Sequence, residues 1–135
     1  MVTNLPQFKA YSNKLKKEVE QIAWKRSEEA GGMAEQLAKK NAPHDLGFHA
    51  QNIGHRPSTE NIGTVLYANA KYAPYLEFGT GGTVDVPSGF EDLAKQFIGK
   101  GIKQINLPAR PHIIPAAYKA KAFMEKQILK DIEKL

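Results

Sequence analysis

Hydrophobic residues recur at three- and four-residue steps through the first third of the chain. The series is Phe8, Tyr11, Leu15, Val19, Ile22, Ala30, Met33 and Leu37. This is the period of an amphipathic α-helix. With Pro6 at its start and Pro43 beyond its end, it predicts a helix over 5–41. Such a helix is about 50 Å long, more than a small core can cover. We therefore expect it to curve, to kink at Gly31-Gly32, or to meet a partner.

Strand patterns follow this helix. Residues 48–53 alternate weakly between apolar and polar, and 56–61 is typical of a hairpin loop. The best strand is 62–68, which is rich in β-branched and aromatic residues. A tight turn around Pro74 comes next, and we expect Tyr72, Tyr75, Leu76 and Phe78 to anchor it in the core.

The second half of the chain combines a loop with two helices. Residues 79–89 are rich in glycine and predict a mobile loop. The Ser88-Gly-Phe-Glu91 sequence is a capping box that opens a short helix over 90–98. Residues 102–107 are a last strand candidate, and 113–135 predict a C-terminal helix. Its expected buried face is Ala117, Met124, Ile128, Ile132 and Leu135.

These elements predict one α+β domain over 1–135, in which a small, mainly antiparallel sheet packs with the two long helices. In the sequence, residues 42–112 separate the two helices and contain the sheet. Hydrophobic residues make up 41% of the chain and charged residues 24%, as in soluble globular proteins. The absence of cysteine excludes disulfides and thiolate chemistry. No apolar run approaches the ~20 residues of a membrane helix, and the N-terminus lacks a signal-peptide pattern.

The net charge of +5 and the pI near 9.4 permit contact with nucleic acid or another acidic surface. Lys and Glu are interspersed, which favours a solvated surface instead.

Two residues break the pattern of the first helix. Arg26 lies within the apolar stripe, either paired locally or in an ion pair with another subunit. Trp24 lies almost opposite the stripe, either as an interface anchor or covered by a loop of the same chain.

The sequence offers little for catalysis. No serine has a Gly-x-Ser-x-Gly context, and Gly79-Thr-Gly-Gly82 lacks the Gly-Lys-Ser/Thr end of a phosphate-binding loop. The four histidines form no His-Glu-x-x-His pattern, and adjacent His44 and Asp45 rarely face each other usefully. We therefore predict no catalytic, cofactor or metal residues. We expect Glu77 to accept hydrogen bonds from backbone or arginine beside the turn.

Three motifs occur in order: Ala42-Pro-His-Asp-Leu-Gly47, Tyr72-Ala-Pro-Tyr-Leu-Glu-Phe-Gly-Thr80 and Ala109-Arg-Pro111. Together they resemble the small minor tail, or head–tail joining, proteins of long-tailed bacteriophages. The stretch 90–97 resembles an insert that some members carry. Phe48-His49 departs from the family, which often has a basic or polar residue followed by Leu there. The residues that carry the structural motifs are Pro43, Asp45, Gly47, Tyr72, Pro74, Tyr75, Glu77, Phe78, Gly79, Arg110 and Pro111.

The resemblance implies a non-enzymatic structural protein of the virion tail or neck, assembled in the host cytoplasm. It would join head to tail or complete the tail, as a ring subunit. Expected partners are copies of itself and neighbouring neck or tail proteins, close to DNA in the channel, with no membrane and no small-molecule substrate. The candidate interface residues are Trp24, Arg26, Thr80, Gly81, Gly82, Val84 and Val86. The alternatives are a basic nucleic-acid-binding module and a small metal-dependent nuclease using Glu77 or Asp85.

Overall fold

The computed structural model describes residues 4–43, 47–79, 85–95 and 108–135, without the side chains of residues 47, 48 and 95. The elements are α1 (Leu5–Asn41), α2 (Gly47–Gln51), β1 (Ile53–Pro57), β2 (Thr64–Ala68), α3 (Ala73–Phe78), α4 (Glu91–Lys95) and α5 (Ile113–Glu133). A long N-terminal helix, a two-stranded antiparallel sheet and a C-terminal helix confirm the predicted α+β class. No helix within these ranges is long and apolar enough to cross a membrane.

Local signals fix both ends of α1. The side chain of Asn4 accepts a hydrogen bond from the Gln7 N–H at 3.0 Å, which caps the first turn. Ala42 is extended, as expected of a residue before proline, and ends the helix. Between these ends α1 passes through Gly31 and Gly32 without a break.

The helices α1 and α5 pack antiparallel through small side chains. Ala30 and Ala34 contact Ala120, while Ala38 lies in one cluster with Ala116. Alanine at these positions lets two helices approach closely. The predicted buried face of α5 was therefore wrong in part. Ala117 is exposed, and Ile132 and Leu135 are 39% and 54% exposed.

The hairpin lies across α1 and explains Gly31. Strands β1 and β2 pair antiparallel from Ile53–Ala68 to Pro57–Thr64, and their inner face joins the core. A Cβ atom at Gly31 would lie 2.7 Å from Cδ2 of His55 and 2.8 Å from Oγ1 of Thr64. Only glycine fits here, because the two strands cross directly over the helix at this point.

Several predicted boundaries of the middle region need correction. Most of 48–53 is helix α2 instead of strand, and β1 occupies 53–57, partly where the hairpin loop was expected. The best strand is shorter than predicted, at 64–68, and the turn around Pro74 is the short helix α3. The helix predicted over 90–98 is present as α4 over the residues described. The strand candidate 102–107 lies outside the described residues.

Candidate functional site

Glu77 joins α3 to the start of α5. Its side chain is buried, with 5% of the residue exposed. One carboxylate oxygen accepts hydrogen bonds from the backbone N–H groups of His112 at 2.9 Å and Ile113 at 3.0 Å. The other accepts from Ile114 N–H at 2.8 Å. The first N–H groups of a helix have no partner within the helix and carry partial positive charge. Glu77 therefore supplies both their acceptors and a matching charge, as predicted from its position beside the turn.

Two histidines meet beside this carboxylate. The Nε2 atoms of His49 and His112 lie 2.5 Å apart, and both side chains are buried. Nδ1 of His112 lies 2.7 Å from the Arg110 carbonyl and 3.2 Å from the Glu77 carboxylate, so this nitrogen carries a proton. In the neutral pair, Nε2 of His112 then accepts a hydrogen bond from the Nε2–H of His49.

The environment of His49 favours its neutral form. Burial lowers the pKa of His49, and the neighbouring His112 lowers it further, while the Glu77 carboxylate acts in the opposite direction. The ring of Tyr72 packs against it with centroids 5.7 Å apart. Nδ1 of His49 is buried without a hydrogen-bond partner among the described residues. We call Glu77, His49 and His112 the buried joint, because together they tie α2 and α3 to α5.

Other motif residues support the buried joint. Phe78 is buried, whereas Tyr72, Tyr75 and Leu76 are only partly buried, so one of the four predicted anchors is fully enclosed. Gly79 ends α3 at φ 80°, a conformation that favours glycine. The Arg110 N–H donates to the Leu76 carbonyl at 2.7 Å. Two of the remaining motif positions lie in helices: Gly47 begins α2, and Pro74 lies in the first turn of α3. Pro43 is buried, whereas Arg110 and Pro111 are exposed. Asp45 lies outside the described residues.

The N-terminal part of α1 extends past the end of α5. Arg26 pairs with Asp131, two residues before α5 ends at Glu133. Residues 5–22 therefore project beyond this helix pair, and we call them the arm. Leu5, Phe8 and Tyr11 lie on the arm and are 64%, 56% and 56% exposed. They continue the same helical stripe that contacts α5 further along.

The arm is also strongly basic at its beginning. Residues 5–17 contain four lysines, Lys9, Lys14, Lys16 and Lys17, and no acidic residue. A helix with an apolar stripe and a basic opposite side is typical of a segment that binds an acidic or amphipathic partner.

Trp24 and Arg26 lie where the arm meets the rest of the molecule. Trp24 is on the side of α1 that faces the hairpin, seven residues before Gly31. It is 42% exposed and lines a cleft of about 240 Å³ with Pro57 and Gly63. The hairpin end thus covers it in part. Arg26 binds Asp131 through two hydrogen bonds of 2.6 and 3.0 Å, which lowers the pKa of Asp131. Local pairing within one chain is therefore the alternative that the structure shows for Arg26.

The loop positions of the predicted interface have a different outcome. Val86 is partly buried against a core cluster that contains Phe78, Ala94 and Ile114, and its place at an interface stays a prediction. Thr80, Gly81, Gly82 and Val84 lie outside the described residues.

In the described parts of the chain, no group of three or more His, Asp or Glu side chains is placed to hold a metal ion.

Comparison with protein families gives one match. The family model described as "Bacteriophage HK97-gp10, putative tail-component" matches residues 6–79, more than half of the chain. The chain belongs to this family. The HK97-gp10-like region contains α1, the hairpin and α3, including His49 and Glu77, whereas His112 and α5 follow it. Comparisons with curated proteins and with solved structures found no match.

The buried joint is the part of the site that sequence reasoning missed. His49 and His112 are 63 residues apart, and no periodic pattern links them. The only signal was indirect, because His49 stands at the position where the chain departs from the family pattern. The joint therefore connects the HK97-gp10-like region to the helix that completes its core.

Proposed function

We propose that this HK97-gp10-like protein is a non-enzymatic subunit of a ring that joins the head to the tail or completes the tail of a phage or prophage particle. Its partners would be copies of itself and neighbouring neck or tail proteins, assembled in the host cytoplasm and retained in the virion. Membership of a tail-component family supports a structural role in the particle.

The arm is the observation that carries the proposal. Its apolar stripe is uncovered over residues 5–11, although the same stripe is buried where α5 lies against α1. Exposed apolar patches on a folded protein mark interaction sites more often than scattered single residues do. A partner that covers the arm would bury Leu5, Phe8 and Tyr11 and remove this exposure. When such contacts are heterologous and their rotation closes, the product is a ring.

Native mass spectrometry of two matched variants tests the ring. Tyr11→Asp and Asn13→Asp each add one negative charge to exposed positions of the arm, but only Tyr11 lies on the apolar stripe. We expect the wild-type chain and Asn13→Asp to form one closed oligomer and Tyr11→Asp to remain monomeric. The urea midpoints of the two variants should match, because both positions are exposed.

A phage carrying an early stop codon in this gene tests the role in the particle. We expect DNA-filled heads and unattached tails in electron micrographs, with joined particles restored by the wild-type or Asn13→Asp chain and not by Tyr11→Asp. Intact, infectious particles without the protein would refute the proposal.

A second candidate function is binding to DNA, which the four lysines of the arm favour. Isolated protein would then bind duplex DNA with an affinity that falls steeply with salt, by a slope of about −0.9 in log K against log salt for each phosphate neutralised. Replacing Lys9 and Lys16 with alanine should reduce that slope by about two. Binding that is undetectable at low salt would exclude this candidate.

A further inference from the structure

We propose that four exposed lysines along one side of α5 bind the phosphate backbone of duplex DNA. We call them the lysine row, which consists of Lys119, Lys126, Lys130 and Lys134. This inference rests on the DNA-binding candidate named above and gives that candidate a second surface, separate from the arm.

The lysine row is straight and open to solvent. Its members follow one another by seven, four and four residues, which places all of them within about 80° around the helix. Along the helix axis the row spans about 22 Å at 1.5 Å per residue. All of its members are exposed. The positive charges of the row therefore stand in a line on one side of a single helix.

The lysine row has few counter-charges within the chain. In the described ranges the ion pairs of α5 are Arg26–Asp131 and Lys121–Glu125, and no member of the row takes part in either. Two hydrogen bonds hold Asp131 to Arg26, so this carboxylate is already occupied. Glu133 lies beside the row around the helix and offsets part of its charge. A clear excess of positive charge therefore faces solvent.

The lysine row departs from the way in which this chain places charges elsewhere on its helices. At the i,i+4 spacing, Lys14 lies 4.0 Å from Glu18 and Lys39 pairs with Glu35 at 2.6 Å. Within the row, lysine follows lysine at that spacing twice. Like charges four residues apart weaken a helix, whereas a pair of opposite charges stabilises it. A bound polyanion would neutralise the row and remove this repulsion.

The side of α5 that carries the row suits a duplex better than a protein surface or a single strand. Next to the lysines, Ala122 is small and exposed, and Phe123 is partly buried. Protein interfaces are depleted in lysine and depend on large apolar anchors, while single strands are bound by stacking their bases on aromatic rings. A duplex presents a regular line of phosphates, about 3.4 Å apart along each strand. Lysines contact such phosphates as point charges on flexible stems.

An anionic lipid surface fits α5 less well. Besides the side that packs against α1, this helix has a second apolar side with Leu129 and Ile132, which are 62% and 39% exposed. Leu129 lies about 60° from Lys126 around the helix, between Glu125 and Glu133. A membrane that covered Leu129 would bring both carboxylates against anionic headgroups, and like charges repel. The lysines and the apolar residues of α5 therefore do not share one membrane-facing side.

Salt-dependent binding to a labelled duplex tests the lysine row. We would follow the fluorescence anisotropy of a duplex of about 20 base pairs between about 50 and 200 mM salt. The row variant combines Lys126→Gln with Lys130→Gln. The control combines Lys39→Gln with Lys121→Gln, which removes the same charge from lysines that already have a glutamate partner. The slope of log K against log salt should become shallower by about 1.8 in the row variant and should stay at the wild-type value in the control, since each phosphate contact contributes about 0.9.

The position of the DNA can be mapped without removing any lysine. The chain contains no cysteine, so a photocrosslinker can be attached at one chosen position of α5. Ala122 and Ala117 are both exposed and lie about 140° apart around the helix, with Ala122 beside the row. Benzophenone maleimide on Ala122→Cys should crosslink to the labelled duplex on irradiation, and the same reagent on Ala117→Cys should not.

The outcomes separate the lysine row from the functions proposed above. Equal slopes for the row variant and its control, or equal crosslinking from the two cysteines, overturn the row as a DNA surface. A slope that changes only when Lys9 and Lys16 are replaced also overturns it and leaves DNA binding to the arm. Wild-type protein that binds no duplex at low salt overturns both DNA surfaces, and its binding to vesicles of phosphatidylserine and phosphatidylcholine would then identify a lipid surface.

The ring is judged separately. In native mass spectra the row variant should show the same oligomeric state as the wild-type protein, whether ring or monomer. A different state would place the lysine row at a contact between subunits and overturn its assignment to DNA.

Discussion

Replacement of Glu77 by glutamine tests whether the buried carboxylate holds the start of α5. The amide has the same shape, but only one of its two ends can accept hydrogen bonds. At best the glutamine oxygen keeps the hydrogen bonds from the N–H groups of His112 and Ile113. Its NH2 group then faces the N–H of Ile114, which in the wild-type protein donates to the carboxylate at 2.8 Å. A buried N–H without an acceptor costs about 1–3 kcal/mol. Loss of the negative charge at a partly buried helix N-terminus costs about 1 kcal/mol more.

The sum predicts that Glu77→Gln lowers the free energy of unfolding by about 2–4 kcal/mol. Urea unfolding followed by far-UV circular dichroism should show the midpoint lowered by about 1–2 M with an unchanged slope. Glu91→Gln is the matched control, because its exposed carboxylate accepts one bond, from Gly89 N–H at 2.9 Å. Its effect should stay within about 0.5 kcal/mol. Equal midpoints for the two variants would refute the role assigned to Glu77.

Three further predictions concern His49, Gly31 and Trp24. The pKa of His49 is lowered in the folded protein, so as pH falls the unfolded chain binds a proton on this histidine before the folded chain does. The free energy of unfolding should therefore decrease as pH drops below about 6.5, by at most ~1.4 kcal/mol per pH unit. His49→Gln should flatten this decline between pH 7.5 and 5.5, and an unchanged decline would contradict the assignment. Gly31→Ala should destabilise the protein by about 1–3 kcal/mol against the hairpin, whereas Gly32→Ala, with open space around it, should stabilise it by up to about 1 kcal/mol. The fluorescence of Trp24, the only tryptophan, should shift to the blue on assembly, and identical monomer and oligomer spectra would exclude it from the interface.

The features that could be predicted from sequence depend on neighbours along the chain. The ends of α1 follow from Asn4, Pro6 and Pro43, which act within one turn of the helix. The role of Glu77 follows from its place beside the Pro74 turn. The family resemblance also rested on short motifs, and the match over 6–79 confirms it.

The features that could not be predicted depend on distant contacts. Strand β1 contains Gly54 and Pro57, which are poor strand formers, and it is held by pairing with β2, where the Tyr67 ring lies over Gly54. The buried face of α5 was misplaced because this helix has two apolar sides. When one stripe of helical period is fitted to both apolar sides, the stripe falls between them, at Ile128.

The arm differs from most isolated helical segments in how its helix is stabilised. An 18-residue helix without tertiary contacts is marginal in water, because the first turn is costly to form. In this chain the packed half of α1 has already formed that turn, and Asn4 caps the far end. The arm is therefore helical before it meets a partner, so docking orders side chains without folding a segment, which lowers its entropic cost. The helical signal per subunit in circular dichroism should accordingly be the same in monomer and oligomer. A rise in that signal on assembly would show that the arm folds only when it binds.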